Sequence, residues 1–525
     1  MSPPKRERTN DSHASRTSGG SEPIPAAPGA DTPPGPNKSR WLSHAIFFFL
    51  LLFVAAAPHS IAATQIAYSG ALLFWLAGLV LARHKLEPQR LVFPLLAYLS
   101  LTAISAALSM DPALSWGKMK SVALLLIAVL FAQNLKSLRQ IKILAALLIG
   151  SCVVNVAYTG WQYAAGIGVK LTQVAAGTPL AQAGLQSGDI IQAVNGRRTR
   201  DPDEWARRVM QGDIGSRLRL LVARDAPLHR FVVEVDRKAV TESGLAQPGG
   251  RIARGRPQRA QGFFSHYETY AEVLMQIGLL AWGLLISSRP ARFGTRLLLG
   301  LVFLGIAGAI AATLTRAPLA ALLLACALVV WLVTGWKVRA VGLVLLTLAL
   351  LASAVWIRQR RGLSWFDRND PGTQYRLLMW KDGMRLIHDH PFFGVGMDTI
   401  IARWQELDIQ AYKRFPLKSH FHSTPIQLAV ERGLFALAAW VWLLVAYLIL
   451  LIQLLRRALT TDWFVRGTVL GILGSVSGLV VSSLVHYNFG DSEVAMLFWF
   501  FLGIALALER ILGTTPTDNI GQVLG

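Results

Sequence analysis

LFALAAWVWLLVAYLILLIQLL, running from Leu434 to Leu455, holds a single amide, Gln453, and no charge. Wound as a helix, these residues reach about 33 Å, enough to cross the hydrocarbon core of a bilayer. Outward from this stretch, eleven further apolar runs read the same way: Leu42 to Ala57, Ile66 to Ala82, Leu91 to Leu108, Met119 to Leu135, Ile143 to Tyr163, Tyr270 to Ile286, Leu297 to Leu314, Ala317 to Val333, Val341 to Ile357, Val469 to Leu484 and Val494 to Leu508. Composition agrees, since 525 residues that are 53% hydrophobic and only 16% charged, with mean hydropathy +0.43, are too apolar for an ordinary soluble enzyme. The expected fold is mainly α: a polytopic membrane helical bundle of about 12 transmembrane helices with one small β-rich insert.

Short loops set the orientation, because Lys and Arg beside helix ends are retained in the cytoplasm. Arg83 to Lys85, Lys136 to Lys142, Arg289 to Arg296, Lys337 to Arg339 and Arg456 to Arg466 are basic, and twelve spans put them all on one side with both termini. Lys118 and Lys120, beside the fourth span, run against this pattern. The reading divides the chain into a disordered cytoplasmic tail (1–40), five spans (41–164), an inserted domain (165–238), a basic linker (239–265), four spans (266–357), a large outer loop (358–423), three spans (424–512) and a C-terminal tail (513–525). Insert, linker and large loop face outward, which is the periplasm in a cell with two membranes.

The net charge of +22 invites a nucleic-acid reading. Much of the excess, however, lies in cytoplasmic loops, where the topology rule and anionic lipid headgroups account for it. No nucleic-acid partner is expected. Cys152 and Cys326 fall within apolar spans, with neither a disulfide framework nor zinc spacing around them.

The insert changes periodicity. Val169 to Val174, Ile190 to Val194, Leu218 to Val222 and Phe231 to Val235 read as short strands, and Asn195-Gly196 as a hairpin turn, since both residues accept positive φ. The run TPLAQAGLQSGDIIQAVNG, Thr178 to Gly196, resembles the PDZ family in its bacterial form. That resemblance implies that Gly166, Ile167, Gly168 and Val169 form a carboxylate-binding loop. A peptide C-terminus would then pair with the strand that follows by β-augmentation. A domain that only spaces the outer loops is the alternative.

The large loop carries eleven Lys or Arg against seven Asp or Glu and should attract an anion. Arg376, in QYRLLMW, lies in an amphipathic segment; its guanidinium suits forked contacts to phosphate, or snorkelling beside Trp380. Ser419-His420-Phe421-His422-Ser423 places two histidines where the loop re-enters the bilayer, a position suited to proton transfer or to orienting a hydroxyl. His-X-His also suits a metal, but no third ligand at a fitting spacing accompanies it. Gly394-Val395-Gly396 lacks the remaining parts of a dinucleotide fingerprint. Arg316, in LTRAP, marks an outer turn between two spans, and an ionisable group there is a functional candidate.

Taken in order, Arg259-Ala-Gln-Gly262, Arg316, Arg376, HPFFGVG from His390 to Gly396, and His422 followed by Gln427 and Glu431-Arg432-Gly433 resemble the bacterial O-antigen ligase family. The resemblance covers residues 259–508 best. Two departures stand out: Ser423 replaces the Asn that often follows the histidine, and family members typically lack an inserted PDZ domain. The family implies transfer of a glycan from undecaprenyl diphosphate to an acceptor, normally lipid A core, without a metal or other cofactor. On that basis Arg259, Arg316 and Arg376 hold the donor diphosphate, and His422, with His420 as second choice, receives or orients the acceptor proton. A polysaccharide polymerase, a protein O-oligosaccharyltransferase and a non-catalytic PDZ scaffold remain alternatives.

Overall fold

The computed structural model describes residues 36–81, 86–166, 168–211, 215–225, 228–245, 251–255, 259–288, 293–361, 370–415, 418–458 and 462–513. Helices α1 (Pro36–Ala56), α2 (Ile61–Leu81), α3 (Val92–Ala107), α4 (Pro112–Val122), α5 (Leu126–Asn134) and α6 (Leu138–Ala165) precede the insert. The insert contains β1 (Val169–Leu171), α7 (Pro179–Gln182), β2 (Ile190–Val194), β3 (Arg197–Arg198), α8 (Pro202–Met210), β4 (Arg217–Asp225), β5 (Leu228–Asp236), α9 (Arg237–Glu242) and β6 (Ile252–Arg254). Then come α10 (Tyr267–Ser287), α11 (Phe293–Ala312), α12 (Arg316–Val333), α13 (Trp336–Arg361), α14 (Pro371–Asp389), α15 (Thr399–Ala402), α16 (Gln410–Arg414), α17 (Thr424–Ala458), α18 (Trp463–Ser483) and α19 (Ser492–Gly513).

Each of the twelve expected spans falls on a helix, the fourth on α4 and α5 joined by a 3₁₀ turn at Ala123–Leu125. Among the described residues, ten helical stretches are long and apolar enough to cross a membrane, and Arg40–Ala56 and Val92–Ala107 are shorter apolar helices. The protein is a polytopic membrane protein. α1 begins at Pro36, inside the stretch expected as tail; residues 1–35 and 514–525 lie outside the described residues.

α10, α18 and α19 form the centre of the bundle, and α13 lies at its lipid-facing edge with few buried residues. Small residues bring α10 and α18 together: a Cβ added at Gly471 would stand 2.6 Å from Leu280 Cα. One end of the bundle carries Arg510 paired with Glu87 at 2.7 Å and Lys142 paired with Asp462 at 2.8 Å. The described basic loops gather there. The insert and the α14–α16 loop emerge from the opposite end, where Ala260 N–H donates to Ala312 O at 2.9 Å and ties the insert's exit to α11.

α17 is broken immediately before the apolar run Leu434 to Leu455. Gly433 has φ 79°, a left-handed conformation that glycine adopts freely. The HPFFGVG segment satisfies the groups released by the break: Val395 N–H donates to Val430 O at 2.9 Å, Gly396 N–H to Glu431 O at 2.9 Å, and Leu434 N–H to Pro391 O at 2.8 Å. Irregular backbone beside an apolar span persists where protein buries it and completes its hydrogen bonds.

The insert is an antiparallel sheet in the order β5-β4-β2-β1-β6, with β3 on β2. Asn195 and Gly196, at φ 49° and 78°, make the expected tight turn between β2 and β3. Two expectations need correction. Residues 239–265 are not simply a linker: Val240, Leu245 and Ile252 are buried in the domain's core, and β6 completes its sheet. The expected pairing of a peptide with the strand that follows Gly166 and Gly168 meets an occupied strand. β1 pairs with β2 on one edge and β6 on the other, leaving no edge for augmentation, and Gly166 N–H is spent on Gln162 O at the end of α6. Ile167 lies outside the described residues. Among the described strands, the edge left open on that side is β6.

Candidate functional site

The site forms where the first turn of α10 meets α14, the His420–His422 turn and the loop between α18 and α19. Asp370 caps α14, accepting from Gly372 N–H at 3.3 Å and Thr373 O–H at 3.2 Å. From there α14 runs amphipathically, burying Tyr375, Met379, Asp382, Gly383 and Leu386 and leaving Arg376 half-buried toward α10. Arg376 stands 3.9 Å from Glu268. This separation holds charges together without a tight hydrogen bond.

Glu268 and Glu272 lie one turn apart on α10 and grip His486 from two sides. His486 Nε2 is 2.9 Å from Glu268 Oε2, a hydrogen bond; Nδ1 is 3.3 Å from Glu272 Oε1, where the angle leaves an ion pair but no directed bond. Glu272 also accepts from Ser482 O–H and, at 3.2 Å, from Asn488 Nδ2. Burial disfavours charge on His486, but Glu268 and Glu272 outweigh it and hold its pKa well above the ordinary value. Thr269 O–H donates to Asp491 Oδ2 at 2.8 Å beside this group.

The two loop histidines stand against the cluster, with ring centroids 4.4 Å apart and His420 6.1 Å from His486. Their turn is held from both sides: Trp380 Nε1 donates to Phe421 O at 2.9 Å, and Phe421 N–H to Gln427 Oε1 at 2.8 Å. His422 adopts φ 50°, a conformation that L residues rarely take, and its Nδ1 is buried without a partner. Loss of water, then neighbouring His420 and Arg376, pushes the His422 pKa down to about 3. Loss of water and the charge of His486 lower His420 to about 4. At neutral pH both rings are uncharged. An unpartnered, neutral ring nitrogen accepts a hydrogen bond well, so His422 is suited to orienting a hydroxyl.

The structure therefore brings Arg376, His420 and His422 together. Arg259 lies with its guanidinium 4.3 Å over the ring of Tyr267, at the first turn of α10. Arg316 is bound at 2.8 Å to Asp370, which precedes Arg376 on α14 by about 9 Å of helical rise. Their pairing fastens the α11–α12 turn to the start of α14. Burial disfavours the Asp370 carboxylate, yet the Arg316 hydrogen bond keeps its pKa below the usual range.

Glu268, Glu272, His486 and Asp491 are the residues that the sequence reading missed. A signal was present in the first two: carboxylates four apart at the start of an apolar span are costly unless paired.

Residues 299–441 match the O-antigen ligase family model, and residues 170–224 match the PDZ domain model. A polytopic helical membrane protein is thus defined that carries an O-antigen ligase-family region and an inserted PDZ domain. The first match spans α11 to the first half of α17 and includes Arg316, Arg376, His420 and His422; Arg259, Glu268 and His486 lie outside it. No curated protein matches the chain.

Proposed function

We propose that the protein is a glycosyltransferase that moves a glycan from undecaprenyl diphosphate to a hydroxyl of lipid A core, at the periplasmic face of a bacterial inner membrane. The observation that carries this reading is the meeting of Arg376 with the neutral His420–His422 pair at one end of the bundle, within a region of O-antigen ligase type. The acceptor oxygen attacks the anomeric carbon as the bond from that carbon to the diphosphate oxygen breaks, and the bonding pair leaves with the diphosphate. His422 accepts the hydroxyl's hydrogen bond through Nδ1 or Nε2 and aims its lone pair. A ring whose pKa is so low does not store the proton, which ends on the released diphosphate.

Arg376, with Arg259 at the start of α10, neutralises the developing charge, which guanidinium forks do without a divalent ion, while Arg316 holds α14 in place through Asp370. Glu268, only loosely paired with Arg376, yields to the more highly charged diphosphate. Purified protein, mixed with undecaprenyl-diphosphate-linked glycan and lipid A core, should give glycan-bearing lipid A. Elongated lipid-linked glycan, or glycosylated protein in membranes, with lipid A left unmodified would replace this reading by a polymerase or a protein O-oligosaccharyltransferase.

A further inference from the structure

Lys118 and Lys120 break the charge rule that the other basic loops obey, and the site described above does not use them. Both line a cavity of about 450 Å³ between α2, α3, α4, the break in α17 and the start of α19, together with Arg432, Tyr98 and Tyr487. Arg432 is 6% exposed. One of its N–H groups donates to the Tyr98 hydroxyl, while Nε has no partner. The break at Gly433 leaves this buried guanidinium on the cavity wall instead of inside a continuous apolar helix.

The charges do not cancel. Three cations, Lys118, Lys120 and Arg432, share the lining with two carboxylates, Asp398 and Glu431. Asp398 is taken by Lys118 at 2.7 Å, and Glu431 accepts the Asp398 N–H at 3.0 Å. Lys120 is exposed and Arg432 Nε unsatisfied, so an anion has donors on two sides. Gln65 and Ser69, exposed on α2, border the same cavity. Polar groups on a flank that otherwise faces lipid indicate an opening through which a headgroup can enter sideways. Tyr487 forms the far wall and packs its ring 5.4 Å from that of His420.

We infer that this cavity binds the phosphate or diphosphate group of a membrane-borne lipid, held between Arg432 and Lys120 beside the Tyr98 and Tyr487 hydroxyls. The inference rests on the transferase reading for its purpose: transfer between two lipid-linked molecules brings two headgroups to one protein, and Tyr487 sets this cavity beside His420. Arg376 faces one, and this cavity holds the other. It also explains why two lysines stand where topology alone would exclude them.

The test uses the full-length protein in lipid nanodiscs, titrated separately with bis-phosphorylated lipid A and with undecaprenyl diphosphate. Dephosphorylated lipid A and undecaprenol serve as controls, and quenching of tryptophan fluorescence is the readout, since Trp499 lines the cavity. K120A and R432K should each weaken one phosphorylated lipid about tenfold, the loss of one charge-assisted hydrogen bond. Binding of its control should not change. Loss confined to lipid A makes the cavity the acceptor site, and loss confined to undecaprenyl diphosphate the donor site. Unchanged affinity for both lipids in K120A, an exposed position whose replacement can be checked for folding by size exclusion, overturns the inference. The unaltered protein separates the two ideas: absence of glycan transfer to lipid A core, to lipid-linked glycan and to protein removes the transferase reading while phosphate binding stands on its own.

Discussion

Replacing His422 by Asn tests the chemistry with little disturbance of the fold. Alanine is the poorer choice, because His422 holds φ 50° and a left-handed residue other than Gly or Asn costs about 1 kcal/mol or more. Asn tolerates that backbone and is polar. The ring is half-buried against Tyr375 and His420, with centroids 5.8 and 4.4 Å away, and Nδ1 makes no hydrogen bond that would be lost. The cost to folding should therefore stay within about 1 kcal/mol. Loss of a positioned proton acceptor should slow transfer about 10²–10⁴-fold, equivalent to roughly 3–5 kcal/mol in the barrier. The assay compares initial rates of glycan transfer to lipid A core in nanodiscs with thermal unfolding of the same samples. A His422→Asn variant with unchanged unfolding and a rate within about threefold of the parent would refute the role given to His422.

His486→Gln leaves Glu268 and Glu272 without their buried cation and should cost about 3–5 kcal/mol, read as a lowered unfolding temperature; adding Glu272→Gln should restore part of the loss. His420 and His422 bind protons less readily folded than unfolded, so their contribution is complete above about pH 6.5 and drains away as pH falls toward their folded values of about 4 and about 3. His486 has the opposite sign, its contribution being complete below about pH 6.5 and lost only above its raised pKa. Unfolding temperature should hence fall between about pH 6.5 and about pH 4.5, and less steeply in a His420→Asn, His422→Asn variant; an identical slope in that variant would dismiss the two histidines as its cause. Arg376→Ala should raise the KM for the lipid donor at least about tenfold, and transfer should continue in EDTA; EDTA inhibition reversed by added metal would restore the His-X-His metal reading.

The bundle was legible because hydropathy and length report burial in lipid directly: each apolar run became a helix, including α13, which lies at the lipid-facing edge. Asn195-Gly196 was legible for a local reason, since few residues accept its dihedral angles. β6 was not. It is a three-residue strand whose place depends on β1 needing a second partner, and nothing within Ile252-Ala253-Arg254 announces that. The histidine pair could be read, but the acids that balance it could not, because His486 meets Glu268 across more than two hundred residues of chain. Arg316 and Arg376 looked equivalent in sequence. Asp370 distinguishes them by fastening Arg316 to the start of α14, ahead of Arg376.

Two motifs that read as independent prove to be halves of one device. HPFFGVG carries part of the family resemblance, and Glu431-Arg432-Gly433 precedes an apolar span. In space the first supplies the hydrogen-bonding groups that the second lacks once Gly433 breaks α17. A continuous helix would satisfy its own backbone and need no such partner. The break has a use beyond satisfying it, since it sets Glu431 and Arg432 on the wall of a polar cavity beside Tyr487 and thus beside His420. Burying a guanidinium there is costly unless an anion arrives to share it. The same broken turn that shapes the histidine loop's exit into the membrane therefore also prepares a place for a charged headgroup.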